Sequence, residues 1–275
     1  MLARVTLLAV SVLLVSGCKL ELPILGGSNI SGPLQVENVV FERAGGPQCP
    51  GATETTPENV RCANLRLTYP KVLTAGSPQA AAAINQFIQE QVLEYSDPQG
   101  KAPTTPDEFS SMFVNDYNEV PDAMGVWEME RKVEVSFASD HLLTLNFSES
   151  GYTGGAHPFS GQRYFVLDLD SGKHLALNAL LAPNYEAELN KVGERAFRKE
   201  RNLPEAASLE EAGFWFANNS FKVNTNFGVL KDSLVFNFNA YEVAPYAMGP
   251  TEFTVSYDDI KAFIPEAGLL AAVAR

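Results

Sequence analysis

Hydrophobic and polar residues alternate most regularly between residues 127 and 137. The apolar positions are Trp127, Met129, Val133, Val135 and Phe137, and Glu128, Glu130, Lys132, Glu134 and Ser136 lie between them. A period of two is typical of a strand with one buried face and one wet face. Ser139-Asp140 then predicts a turn, and the apolar positions of 143–147 predict the returning strand of a hairpin.

Shorter stretches with strand-like apolar residues occur along the rest of the chain. They cover residues 34–43, 65–69, 165–169, 221–227, 234–238 and 253–257. Between these stretches the apolar period lengthens to that of a helix. Ser77-Pro78 predicts one helix start, with Ser as the cap and Pro in the first turn.

Two further helices follow from the same kind of signal. Thr105 and Glu108 have the spacing of a capping box and predict a second start. A third helix is predicted from about 184 to 201. Runs of strands with helices inserted between them predict an α+β fold, with one or more antiparallel sheets and one or two closely packed subdomains.

The first 17 residues have a different pattern. Arg4 precedes an apolar run from Val5 to Val15, and small residues follow it, which is typical of a secretory signal peptide. The run is too short to span a bilayer comfortably. Val15-Ser16-Gly17-Cys18 also resembles the lipobox of bacterial lipoproteins, which implies that Cys18 is acylated and begins the mature protein. The alternatives are an ordinary signal peptide cut nearby, or an inert thiol.

This N-terminus leads us to expect an exported protein that is anchored to a membrane through its lipid. Residues 18–33, with Gly26-Gly27-Ser28, are interpreted as the lipidated cysteine and a short tether. Position 19 is Lys and not Asp, which resembles the sorting pattern for the periplasmic face of the outer membrane in a cell with two membranes. The sequence leaves the number of membranes and the oligomeric state open.

Charge limits the classes of partner. The chain has a net charge of −13, which becomes about −14 when the signal peptide and its one Arg are removed. An acidic surface argues against nucleic acid and anionic lipid and would steer a cationic partner. The alternative is a solvated acidic surface that keeps an exported protein soluble.

The two remaining cysteines, Cys49 and Cys62, enclose a turn-rich polar segment without apolar periodicity. In an oxidising compartment this pair is expected to form a disulfide, although two buried free thiols are the alternative. Two cysteines without a nearby histidine give too few ligands for a metal site. We expect no metal and no cofactor, because P-loop, dinucleotide and serine-hydrolase motifs are also lacking.

A glycine-rich segment ending in a histidine lies between two predicted strands. It reads Tyr152-Thr153-Gly154-Gly155-Ala156-His157-Pro158. Paired glycines permit backbone angles that other residues rarely adopt. His157 is a candidate catalytic base, ligand or structural residue, and no partner at a recognisable spacing decides between these roles. Tyr241, Tyr246 and Tyr257 could stack on a sugar, line a peptide groove or belong to the core and its rim.

Three segments resemble the RsiV-type extracytoplasmic domain. They are 152–158, 165–173 and 235–249, followed by the strand through Val255 and Tyr257. The region from about 60 to 146 resembles, in its general pattern, the companion domain that usually precedes it. The resemblance implies an α+β envelope domain of largely unassigned function. Relatives include the extracellular part of RsiV, which binds lysozyme, and a domain that precedes the deacetylase domain of PdaC.

The resemblance does not carry sugar deacetylation to this chain, because the histidines His141, His157 and His174 form no H-x-x-x-H metal pair. The predicted organisation has five parts. They are a signal peptide at 1–17, the lipidated cysteine and tether at 18–33, an N-terminal α+β subdomain with a disulfide at 34–146, an RsiV-type domain at 147–264 and a tail at 265–275.

The function expected from these observations is non-catalytic binding of a cell-wall or periplasmic ligand. Peptidoglycan, or a cationic protein such as lysozyme, is the ligand that the resemblance suggests. The expected groove contains Tyr152, Gly154, Gly155, His157, Tyr241 and Tyr246. The alternative is a cell-wall glycan hydrolase whose site contains His157 and Glu149.

Overall fold

The computed structural model describes residues 33–49, 60–96, 100–120 and 125–274. The predicted signal peptide, Cys18 and the tether up to residue 32 lie outside them. The described part contains two sheets, with strand order β1-β2-β3-β4-β5-β6 in the larger and β7-β8-β9 in the smaller. Together with the helices, these sheets confirm the α+β class.

The element bounds are as follows. The strands are β1 Gln35–Gly45, β2 Cys62–Thr74, β3 Val126–Ala138, β4 Leu142–Tyr152, β5 Phe159–Asp168, β6 His174–Leu175, β7 Phe227–Val229, β8 Ser233–Phe238 and β9 Thr251–Ser256. The helices are α1 Pro78–Val92, α2 Pro106–Glu119, α3 Leu177–Leu180, α4 Glu186–Glu200 and α5 Tyr257–Ile260. Short 3-10 turns lie at Ala217–Asn219, Tyr246–Met248, Lys261–Phe263 and Leu269–Ala272.

One strand pair departs from the predicted antiparallel arrangement. β2 and β3 are parallel, with Cys62 opposite Val126 and Thr68 opposite Lys132. The chain between them contains α1 and α2, which form the crossover that a parallel connection requires. The other pairs in both sheets are antiparallel.

Both helices of the crossover begin where the sequence predicts. The Ser77 hydroxyl accepts a hydrogen bond from the Ala80 N–H at 3.0 Å. Thr105 accepts likewise from the Glu108 N–H at 3.1 Å. The Glu108 carboxylate accepts from the N–H of Thr104, at 2.8 Å, and not from that of the cap. The capping box therefore differs by one residue from the usual arrangement, in which the glutamate accepts from the N–H of the cap residue itself. The Glu108 carboxylate still satisfies a backbone N–H just before the helix.

The large sheet is buried on both faces near its centre. Leu142 and Leu143 are successive residues of β4 with no exposed surface, and they belong to different hydrophobic clusters. The cluster beneath α1 and α2 includes Leu65, Leu67, Ile84, Ile88, Phe109, Phe113, Tyr117, Leu143 and Leu145. The second cluster joins the large sheet to the small sheet and α4, and includes Leu142, Val166, Leu189, Phe197, Phe214, Phe236, Phe238 and Phe253.

The strand predicted at 221–227 is wrong over most of its length, since β7 covers only Phe227–Val229. The segment before β7 is held largely by side-chain amides, although the Asn226 carbonyl still accepts from the Asn237 N–H of β8 at 3.1 Å. The Val223 N–H donates to Asn190 Oδ1 at 3.0 Å, and Asn226 donates its side-chain amide to the Gln162 carbonyl at 2.8 Å. Polar side chains thus replace a sheet ladder in this segment.

The predicted disulfide between Cys49 and Cys62 is present, with Cα atoms 4.8 Å apart. It connects the segment that follows β1 to the first residue of β2. The boundary predicted between residues 146 and 147 falls inside β4, which pairs with β3 and β5 along its length. The division into two subdomains stays a prediction. No helix within the described ranges is long and apolar enough to cross a membrane.

Candidate functional site

The glycine-rich segment forms the turn between β4 and β5. Gly154 and Gly155 have φ angles of +95° and +96°, in the region that favours glycine. The Tyr152 hydroxyl donates a hydrogen bond across the turn to the Gly155 carbonyl at 2.9 Å. The turn is therefore a defined structure that presents His157 at the surface.

Three aromatic side chains meet beside this turn. The rings of His157 and Tyr246 are stacked, with centroids 4.1 Å apart and planes inclined by 19°. Tyr241 lies against Tyr246 at 5.4 Å and near His157 at 6.4 Å. We call His157, Tyr241 and Tyr246 the aromatic platform. The sequence analysis placed all three residues in one candidate groove. The structure brings His157 next to the two tyrosines, which lie 84 or more positions later in the chain.

One backbone oxygen orients two of the platform rings. The Pro158 carbonyl accepts from the Tyr246 hydroxyl at 3.1 Å and contacts His157 Nδ1 at 2.8 Å. Because a carbonyl can only accept, Nδ1 carries the proton in this contact. The ring of His157 is thus oriented by a backbone carbonyl and not by a carboxylate.

Tyr241 combines exposure with an unusual backbone conformation. Its side chain is 59% exposed and its φ is +69°. An aromatic residue at positive φ costs free energy, of order 1–2 kcal/mol. Because the ring is exposed, its packing offsets little of this backbone strain. Strained backbone at an exposed aromatic residue is found at positions that contact ligands.

A groove of about 230 Å³ lies next to the segments that carry the platform. Its lining is Ser148, Glu149, Ser150, Ser160, Gly161, Gln162, Asn239, Ala240 and Pro250. Ala240 directly precedes Tyr241, and Ser160 follows His157 by three positions, so the same two segments form the groove and the platform. The groove offers hydroxyl and amide groups, while the platform offers aromatic surface.

Asparagine side chains fix the wall of this groove to the open edge of β5. Asn239 accepts from the Gln162 N–H at 2.8 Å and donates to the Gln162 carbonyl at 3.0 Å. Asn226 accepts from the Tyr164 N–H at 2.8 Å. These side-chain amides form the hydrogen bonds that a neighbouring strand would otherwise form with β5. They thereby hold the segment that carries Tyr241 beside the sheet.

The carboxylate of Glu149 takes part in a structural ion pair. Its carboxylate forms an ion pair with Arg131, whose side chain is 7% exposed. Arg131 also donates to the Val92 carbonyl at 2.9 Å and lies over the ring of Phe109 at 4.9 Å. No hydrogen bond or ion pair joins Glu149 to His157 within the described ranges.

The other carboxylates near the groove are engaged as well. Glu252 accepts from the Tyr164 hydroxyl at 2.8 Å and from Gln162 at 3.0 Å, and burial with this contact raises the pKa of Tyr164. Glu242 accepts from the Asn239 N–H at 2.9 Å. In these contacts the carboxylates of Glu242 and Glu252 act as hydrogen-bond acceptors. This arrangement fits a binding surface better than a site that transfers protons.

Two features were not predicted from the sequence. Trp215 is 50% exposed and bonds to the Glu242 carbonyl next to Tyr241, and Arg131 of β3 is buried against Phe109 of α2. Both could have been found from their surroundings. Arg131 falls on the apolar side of the β3 alternation, and Trp215 lies between the more buried rings of Phe214 and Phe216. In the described part of the chain, no group of three or more His, Cys, Asp or Glu could hold a metal ion.

Comparison with known families locates two matches along the chain. Residues 57–160 match the family described as Deacetylase PdaC, and residues 178–258 match the family described as Protein of unknown function (DUF3298). The resemblance inferred from the sequence is confirmed. The turn at 152–158 falls within the PdaC match, whereas Tyr241 and Tyr246 fall within the DUF3298 match. The platform is therefore assembled from both matched regions.

Solved structures support the same relationship at the level of the fold. A DUF3298 family protein from Pseudomonas aeruginosa PAO1 is 19% identical, with a TM-score of 0.64 and coverage of 85% of this chain and 95% of its own. A DUF3298 family member from Bacteroides fragilis NCTC 9343 is 17% identical, with a TM-score of 0.68 and coverage of 89% and 99%. No curated protein matches the chain. The two families indicate an uncharacterised, envelope-associated type of domain.

Proposed function

We propose that the protein is a lipid-anchored envelope component that binds cell-wall glycan without cutting it. The observation that carries this proposal is the exposed aromatic platform beside a polar groove. Aromatic rings stack on the apolar faces of sugars, while hydroxyl and amide groups bond to sugar edges. The platform rings and the hydroxyl groups of Ser148, Ser150 and Ser160 provide both kinds of contact.

The engagement of Glu149 supports binding over hydrolysis. A glycan hydrolase needs two carboxyl groups placed on either side of the scissile bond, or a general acid that can deliver a proton to it. Glu149 is held by buried Arg131, and His157 is oriented by the Pro158 carbonyl. The hydrolase with a site at His157 and Glu149 remains the alternative against which the proposal is tested.

Sedimentation with purified peptidoglycan tests the proposal. The parent protein should co-sediment, and Tyr246→Ala should reduce the bound fraction because it removes the centre of the platform. Val40→Ala removes an exposed hydrophobic side chain on β1 and serves as the matched control. Release of soluble fragments by the parent, abolished by His157→Ala, would overturn the proposal in favour of the hydrolase.

A cationic protein is the second candidate ligand, supported by the net charge of −13. Long-range attraction between an acidic surface and a basic protein is screened by salt. Titration with a basic lysozyme at low and high salt separates the two ligands. Binding that weakens strongly with salt and is unchanged by Tyr246→Ala would favour the protein ligand over glycan.

A further inference from the structure

We propose that Trp215 is a second aromatic contact for the same ligand, so that the site binds a chain of several sugar units. This inference rests on the proposed glycan-binding function and extends it to the length of the ligand. Trp215 bonds to the backbone of Glu242 and Val243, which directly follow Tyr241, and it is 50% exposed. The inference depends on how that ring is held and where it lies relative to the platform.

Backbone acceptors hold Trp215 in place. Its N–H donates to the Val243 carbonyl at 3.0 Å, and its indole Nε1–H donates to the Glu242 carbonyl at 3.1 Å. The polar atom of the indole is therefore satisfied by the protein itself, and the residue stays 50% exposed. A fixed, exposed indole is well suited to a contact surface, because little side-chain freedom is lost when a ligand binds.

The turn that holds Trp215 also displays Tyr241. Glu242 bridges this turn, accepting from the Asn239 N–H at 2.9 Å and from the Asn224 side chain at 2.6 Å. Trp215 and Tyr241 are thus both attached to one rigid frame. The spacing between the two rings is set before any ligand arrives, so a ligand that contacts both gains affinity without ordering a loop.

Trp215 is separate from the platform. Within the described ranges it makes no ring–ring contact with Tyr241, Tyr246 or His157, although those three contact one another. A single sugar that covers the platform would leave Trp215 free. A ligand that contacts both must extend along the wall, as a glycan chain does.

The groove beside the platform favours a ligand with many hydroxyl groups. The groove residues Ser148, Ser150 and Ser160 provide hydroxyl groups, whereas the amides of Gln162 and Asn239 are engaged within the protein. The carboxylates of Glu149 and Glu242 are engaged within the protein. The features of this surface that suit a glycan are its aromatic stacking faces and its hydroxyl groups.

Calorimetry with N-acetylglucosamine oligomers of one to six units tests the inference, using the full chain in detergent. For the parent, the association constant should rise about ten-fold or more with length, since one additional aromatic contact is worth about that factor. Trp215→Ala should abolish the rise and leave binding of the shortest binding oligomer unchanged. Tyr246→Ala should weaken every length, and Val40→Ala should match the parent.

The outcomes separate the two proposals. Persistence of the full length dependence in Trp215→Ala overturns the inference alone, as does parent binding that does not increase with length. No binding of any oligomer or of peptidoglycan by the folded parent overturns both. Should Trp215→Ala fail to fold, fluorescence gives the same answer. The chain has two tryptophans, so in a Trp127→Phe background the signal of Trp215 should change with long oligomers and not with the monomer.

Discussion

Arg131 and Glu149 lie directly opposite each other on β3 and β4 and form an ion pair across the strands. The guanidinium is buried beneath α2, against Phe109, whereas the carboxylate is partly exposed at the edge of the groove. An arginine placed among apolar residues requires a compensating negative charge. The role of Glu149 that the structure supports is to provide that charge.

Glu149→Gln should therefore destabilise the protein. The substitution leaves the buried guanidinium of Arg131 without its counter-charge, and we expect a loss of about 2–4 kcal/mol in the free energy of unfolding. Glu94→Gln is the matched control, because Glu94 pairs with Arg163 at the surface, where both side chains are well exposed. An exposed pair is worth about 0–1 kcal/mol.

Urea unfolding of the two variants measures the difference. Equal stability of Glu149→Gln and the parent would contradict the structural role. If such a stable variant also lost an activity on peptidoglycan, Glu149 would instead belong to a catalytic site.

Tyr241→Asn should separate stability from binding. Asn tolerates positive φ better than an aromatic residue, so the free energy of unfolding should stay the same or rise by up to about 1 kcal/mol. Binding of glycan should fall, because the exposed ring is lost. A melting temperature several degrees below that of the parent would mean that packing of Tyr241 on Tyr246 outweighs the backbone strain.

Gly155→Ala should destabilise the turn through the backbone alone. A Cβ at this position would meet no atom within 4 Å, but φ is +96°, so we expect a cost of about 1–3 kcal/mol. Gly161→Ala is the control, since its Cβ would lie 3.9 Å from the nearest atom and its φ is not positive. It should change stability by about 0.5 kcal/mol or less. Equal melting temperatures for the two variants would contradict a strained turn.

The lipid anchor is tested at Cys18. In cells that express the full chain, the parent should fractionate with membranes, and Cys18→Ala should not be processed at the lipobox. Metabolic labelling with a fatty-acid analogue provides a second measurement. Normal maturation and membrane partitioning of Cys18→Ala would contradict the anchor.

The sequence by itself determined the elements whose signals are local. Ser77 and Thr105 cap their helices through their own side chains, so the starts of α1 and α2 could be read directly. The alternation of 127–135 likewise fixed the faces of β3, because side chains of a strand alternate whatever its partners are. Phe137 departs from it, since the pairing with β4 shifts after Val135 and places Phe137 in the cluster on the opposite face. The paired glycines at 154 and 155 predicted a special turn for the same local reason.

The tertiary structure decided what depends on distant partners. The parallel pairing of β2 with β3, the replacement of a strand at 221–226 by asparagine contacts, and the stack of His157 on Tyr246 all join segments far apart in the chain. The sequence around Asn226 and Tyr246 does not indicate which distant residues they contact. The sequence therefore named the residues of the candidate site, while long-range packing decided that Glu149 supports Arg131 and that the aromatic rings form one surface.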